Sequence, residues 1–218
     1  MAQTKRYNLL KSHLMFVDLN WVLKTHNIFP KSVLHIGAHL AQELPFYREV
    51  GLLSGIFIEA SPATFLELGK ILEGQSDFSA THALLSDSDG LIVDFFLANN
   101  GQSSSLLNPS GHLSQHPDVT FHQEPIKLTT RKLDILNLGI FDLIVMDVQG
   151  AEIKVLSGGT KTIKDAKVIL LEASLGGLYE GDCTINEIIA FLTPYGFSPV
   201  DLKIGSNRWG DAIFIKNN

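Results

Sequence analysis

Three short stretches carry side chains whose types and spacing suit chemistry on a nucleoside-like ligand. The first is HIGAHLAQE at 35–43, where an apolar run reaches Gly37 and turns towards a helix. A glycine at such a junction lets a ligand approach the main chain, and a helix start offers N–H groups that lack intrahelical partners. The second is FIEASP at 57–62, in which Glu59 closes another apolar run. A carboxylate there can accept hydrogen bonds from both hydroxyls of a ribose. The third is MDVQGAE at 146–152. Asp147 follows an apolar run, Gly150 permits a tight turn and Glu152 enters the next helix. Asp147, Gln149 and Glu152 would then converge near a cleft, the lesser alternative being that Asp147 alone caps the helix.

Other groups are weaker candidates. Glu172 closes the run at 168–171 and can face a ligand or hold structure. His112 and His116 are spaced for a metal, but no third ligand stands at a diagnostic distance, so no metal site is expected. The run Asp87, Ser88, Asp89, Gly90 lacks the remaining positions of a calcium loop and reads as a tight turn. Ser103, Ser104 and Ser105 have no assignable base and read as flexible loop. Cys183, the lone cysteine, allows no internal disulfide, argues against an oxidised secreted scaffold and is expected to be inert.

Positioning these residues requires alternating strands and helices. Strands are expected at 32–36, 55–59, 78–85, 91–97, 119–130, 141–147 and 167–172, with a closing antiparallel hairpin from 196–202 and 211–215. Helices are expected at 17–26 within a broader N-terminal span of about 12–28, at 43–50, 62–72, from 151 and at 185–192, with Pro62 in a first turn. The inner strands are continuously apolar, as parallel strands covered on both faces must be. Residues 98–121 break the rhythm with Asn, Gly, Ser, Pro and His, and read as a long loop insertion of the functional kind. The chain therefore reads as one α/β domain over 1–218, with a doubly wound, mostly parallel sheet that binds ligands at the strands' carboxyl ends.

Bulk properties narrow the function. The 218 residues are 45% hydrophobic and 18% charged, enough for one substantial core. The net charge of −6 and the lack of a basic stripe disfavour a nucleic-acid partner. No apolar run is long enough for a membrane span, and the cytoplasm is the default compartment.

The chain resembles the FkbM-type methyltransferases, which use S-adenosyl-L-methionine. The resemblance rests on the three stretches above and, more weakly, on RKLDIL at 131–136, VILLEAS at 168–174 and LYEG at 178–181. The run Asp-x-x-Gly-Ala-Glu is its most telling part. His35 departs from a position often acidic in such enzymes, and Ala41 from one often glycine. The resemblance implies a class I, Rossmann-like fold with a seven-stranded sheet whose last strand is antiparallel. It also implies O-methylation of a hydroxyl on a sugar, glycolipid or natural product.

On this reading the cofactor lies over Gly37, Ala38 and His39, with Glu43, Ala60 and Val148 nearby and Glu59 on the ribose. Leu85 and Ser86 flank the adenine, and Asp147 and Gln149 border the methionine end. His112, Glu152 and Glu172 face a small-molecule or glycan acceptor. Asp147 leads as general base, with His39 and His112 as weaker candidates. The loop at 98–121 is expected to form part of the acceptor pocket and to close over it. Two rivals remain: a cofactor-binding module without catalysis, and an NAD-dependent oxidoreductase, disfavoured because the full glycine fingerprint is absent.

Overall fold

The computed structural model describes residues 16–217. Its central sheet contains β1 (Ser32–Ile36), β2 (Ser54–Glu59), β3 (Phe78–His82), β7 (Leu143–Met146), β8 (Val168–Ser174), β9 (Phe197–Ile204) and β10 (Trp209–Lys216), in the order β3-β2-β1-β7-β8-β10-β9. β10 runs antiparallel to β8 and β9, while the other pairings of this sheet are parallel. A second, three-stranded sheet is formed by β4 (Leu84–Leu85), β5 (Ile92–Phe95) and β6 (Ile126–Arg131), in the order β4-β6-β5.

Period-two alternation along the strands sends successive apolar side chains to opposite faces. Leu34, Ile36, Ile144 and Met146 pack against α5 (Glu152–Gly158), α6 (Thr160–Lys164) and α7 (Ile185–Leu192). Val33, Leu143 and Val145 pack against α1 (Leu19–Thr25), α2 (Leu44–Glu49) and α3 (Pro62–Leu72). Ser61 caps α3 through the Thr64 N–H, with Pro62 in the first turn, and a Thr184–Glu187 capping box starts α7. Among the described residues no helix is long and apolar enough to cross a membrane.

The doubly wound sheet and the closing hairpin match expectation. Several boundaries differ. The strand expected at 78–85 divides, because Ala83 N–H bonds Glu59 O and Leu84–Leu85 then turns away to pair with β6. Of the strand expected at 119–130 only Ile126–Arg131 pairs continuously; Phe121 makes just an isolated bridge to Ala98. A 3₁₀ turn at Leu133–Leu136, α6 and the four-residue α4 (His112–Gln115) were not foreseen. The part of the expected N-terminal helix at 12–15 lies outside the described residues.

Candidate active site

The strand order reverses between β1 and β7, and a crevice opens at their carboxyl ends, where doubly wound sheets take ligands. Gly37, His39, Glu59, Ala60, Leu85, Asp147 and Val148 all line it. Its other wall is the strap at 98–121, through Gly101, Gln102, Ser104 and Leu106, which narrows the cavity to about 50 Å³. A wider, shallower groove of about 730 Å³ lies between α3 and β3, but no cluster of polar groups converges there.

Gly37 is required by the protein itself. Its φ is +77°, and a Cβ would sit 1.7 Å from the Asp147 carbonyl oxygen. The N–H groups of Gly37 and Ala38 donate to Ile58 O, and that of His39 to Glu59 Oε2. The expectation that this turn offers open N–H donors is therefore corrected: strand β2 already uses them, and helix α2 begins only at Leu44. Glu59 is 8% exposed and also accepts from Ser61 N–H at 2.7 Å. Burial pushes its carboxyl up from the usual range, and these two N–H bonds oppose the shift. Each oxygen keeps a lone pair for a further donor.

His39 adopts a left-handed backbone, φ +44°. Its Nδ1 accepts from Gln42 Nε2 at 2.7 Å, which leaves the proton on Nε2, facing Gly101 of the strap. Glu43 lies behind this turn. Its Oε2 is buried without a hydrogen-bond partner among the described residues, 3.9 Å from His35 Nδ1, and burial raises its carboxyl to about 7. His35 is itself buried against the Tyr47 hydroxyl and held down at about 3 by desolvation, so it supports Glu43 instead of lining the crevice. Ser86 also stays out, since its hydroxyl bonds Asp87 and its carbonyl faces Gly158.

Across the crevice Asp147 ends β7 with an exposed side chain. Protein mass around it raises its carboxyl, but the open side towards the crevice limits that effect. Gln149, φ +54°, turns its amide outwards and donates from Nε2 to Asp147 Oδ1 at 2.7 Å and to Glu172 Oε2 at 2.8 Å. One NH₂ group thus ties together two carboxyl groups from adjacent strands. Burial and the Asp147 charge drive Glu172 well above the usual range, so Glu172 holds the proton and Asp147 the charge. The Tyr179 hydroxyl lies 2.9 Å from Gln149 Oε1 and 2.8 Å from Ser103 O, and its single proton serves one at a time.

Glu152 was expected to face an acceptor but turns inwards. It is 2% exposed, accepts from Val148 and Gly150 N–H and from the Cys183 thiol, and is raised to about 7 by burial. It closes the turn that carries Gln149. The serine run is not a loose loop either. Ser105 Oγ donates to Gln149 O, and the Ser105 main chain pairs with Phe96. Ser104 Oγ accepts from Ala98 N–H. His112 lies over Tyr179, with ring centroids 5.3 Å apart, and its Nδ1 has no partner among the described residues. Residues missed from sequence are Tyr179, Trp209, Asp211 and the strap's Gln102. The LYEG stretch contained a signal for Tyr179; Trp209 and Asp211 reach the site only through the pairing of β10 with β8.

A family model described as the methyltransferase FkbM domain matches residues 35–199. The 2-O-methyltransferase NoeI of Sinorhizobium fredii (strain NBRC 101917 / NGR234) is 37% identical over 122 residues, covering 51% of this chain and 49% of that protein. The chain thus spans about half the length of the curated relative it matches. Among solved structures, Methyltransferase FkbM from Methylobacillus flagellatus KT matches with a TM-score of 0.56 at 13% identity, over 85% of this chain and 43% of that one. The magnesium protoporphyrin IX methyltransferase of Synechocystis PCC 6803, solved with bound SAH, matches with a TM-score of 0.53 at 11% identity, over 96% of this chain and 83% of that one. At these identities the two structures establish a common fold, that of the class I methyltransferases.

Proposed function

The chain belongs to the FkbM methyltransferase-domain family, and on that premise we propose that it transfers the methyl group of S-adenosyl-L-methionine to an alcohol oxygen of a small-molecule or glycan acceptor. The observation that carries this reading is Asp147, a charged carboxylate placed where the crevice meets the Gln149–Glu172 bridge. The residues present fit the cofactor. Glu59 has lone pairs for the ribose hydroxyls, whereas Glu43, buried behind the turn, lies outside the crevice lining. Ala60, Leu85 and Val148 supply apolar lining, whereas Ala38 is buried in the core beside Leu44 and Tyr47 and lies outside the crevice.

When bound, S-adenosyl-L-methionine supplies a methyl group made electrophilic by its positive sulfur. The protein's own work is on the acceptor. Asp147 accepts the hydroxyl proton as the oxygen becomes nucleophilic, and the Gln149 amide keeps it ionised beside the protonated Glu172. Glu172 and His112 orient the acceptor, while His39, with Nδ1 taken by the Gln42 amide and its proton on Nε2, is placed to donate a hydrogen bond and not to take the acceptor's proton. The strap excludes water. A cavity of about 50 Å³ is far smaller than a nucleoside needs, so residues 101–106 swing out to admit cofactor. This widens the lid expectation: the strap governs cofactor entry as well as the acceptor side. The single buried cysteine fits a cytoplasmic setting.

The test is an acceptor screen with methyl-labelled S-adenosyl-L-methionine. Label recovered on an acceptor oxygen is the expected result. Cofactor binding with no transfer to any hydroxylated acceptor would instead mark a binding module.

A further inference from the structure

Beyond Glu172 the site continues into a wall of rings. Trp209 opens β10 and pairs with Ser174 on β8, two residues past Glu172. Asp211, on the same face as Trp209, pairs with Glu172 itself. The Trp209 ring lies 6.2 Å from that of His116, which lies 4.9 Å from that of His112, which in turn packs on Tyr179. The wall therefore runs unbroken from the Gln149–Glu172 bridge to the first residue of β10.

Two polar atoms in this wall are shielded from solvent and lack a hydrogen-bond partner among the described residues: Trp209 Nε1 and His112 Nδ1. His112 is only 3% exposed. Folded proteins seldom leave such atoms unmatched, because a buried donor or acceptor without a partner is costly. The neighbours of these two rings, Phe16 and His116 beside Trp209 and His116, Phe121 and Tyr179 beside His112, pack on them without supplying a hydrogen bond to either atom. An indole N–H can only donate, and a neutral imidazole nitrogen donates or accepts by tautomer. Apolar ring surface, two unmet hydrogen-bonding atoms and the neighbouring Glu172 carboxyl together suit a saturated ring bearing several hydroxyls, Asp211 being engaged already by the Phe16 N–H.

We propose that Trp209 and His112, with His116 packed between them, form an acceptor subsite that reads hydroxyls neighbouring the one placed at Asp147, and so set acceptor specificity. The inference rests on the methyl-transfer reading for the identity of the reacting hydroxyl, but not for binding. Trp209 is a specificity residue here and takes no part in bond making.

The protein offers a direct probe, because it has two tryptophans and the other, Trp21, is exposed on α1. In the Trp21→Phe protein the indole emission comes from Trp209 alone. We would titrate that protein, saturated with S-adenosylhomocysteine, with a panel of methyl glycopyranosides differing in hydroxyl configuration. At least one is expected to change Trp209 emission saturably. Trp209→Phe keeps a ring but removes the N–H, and should raise KM for that glycoside about tenfold or more while S-adenosylhomocysteine affinity is unchanged. His112→Asn, which retains a polar atom near Nδ1, should keep more acceptor affinity than His112→Leu. The proposal is overturned if no glycoside perturbs Trp209, or if Trp209→Phe leaves KM unchanged. Methylation with a silent Trp209 removes this subsite alone. A Trp209 response without methylation supports the subsite and removes the transfer reading alone.

Discussion

On the β1–β2 flank of Asp147 the polar groups are largely matched: the N–H groups of Gly37, Ala38 and His39 are all bonded and Glu59 accepts twice, with Glu43 Oε2 unpartnered among the described residues. On the β8–β10 flank the protein instead crowds Asp147, Glu172 and Asp211 along the strand ends, ties two of them with one amide, and leaves His112 Nδ1 and Trp209 Nε1 unmet among the described residues. On the proposed reading the first flank takes the cofactor, which does not vary, and the second takes the acceptor. Unmet groups of this kind are tolerated where a ligand satisfies them.

Four experiments would break or sharpen this contrast. The largest effect is expected at the border itself. Asp147→Asn is nearly isosteric, and should lower single-turnover methyl transfer by about 10²–10⁴-fold while cofactor affinity, measured by calorimetry, changes little. An undiminished rate would reduce Asp147 to a binding or structural residue.

Next comes the bridge. Gln149→Leu removes the N–H that favours ionised Asp147. Transfer should fall by about tenfold, and the acid limb of the pH–rate profile should move to higher pH, since Asp147 then needs a higher pH to lose its proton. An unmoved limb would detach Gln149 from the base.

On the β1–β2 flank, Glu59→Ala should weaken cofactor binding by about 1–3 kcal/mol through unmet ribose hydroxyls, with Glu59→Gln losing less. Equal calorimetric affinity for wild type and both variants would move the ribose elsewhere.

The smallest effect concerns stability. Glu43, Glu152 and Asp211 are all raised to about 7 by burial. A carboxyl raised in the folded state favours folding below its unfolded value, and that contribution disappears as pH rises through the folded value. The lowered values of His35, His39 and His112 act in the opposite sense over the same range, so the carboxyl contribution is read as a difference: the wild-type thermal midpoint relative to that of Glu152→Gln should fall between about pH 4.5 and pH 7. A difference that does not change over this window would contradict the burial of Glu152.

The same contrast explains what could be read from the chain. Gly37, Glu59, Asp147 and Gln149 stand at strand ends announced by apolar runs, and their turns are made within a few residues, so local spacing revealed them. Trp209 and Asp211 precede no such signal. They join the site because β10 runs antiparallel beside β8, a pairing between residues far apart in sequence. Glu152 misled for a different reason: the N–H groups of Val148 and Gly150, inside its own motif, draw it inwards, and the Cys183 thiol thirty-one residues away only adds to them. The serines at 103–105 looked loose by composition, yet their partners, Gln149 and Tyr179, lie on distant segments. The division of 78–85 into two strands likewise depends on where Glu59 O lies, which no local pattern encodes.

The central claim is that Asp147 takes the acceptor's proton. The most direct test is the pH dependence of single-turnover transfer, at saturating cofactor and acceptor, in the wild type and in Asp147→Asn. The wild-type rate is expected to rise along an acid limb lying above the ordinary aspartate range, in keeping with the upward shift that the surrounding protein imposes on this carboxyl, and the variant to show a low rate without that limb. The same limb persisting in Asp147→Asn would show that another group takes the proton.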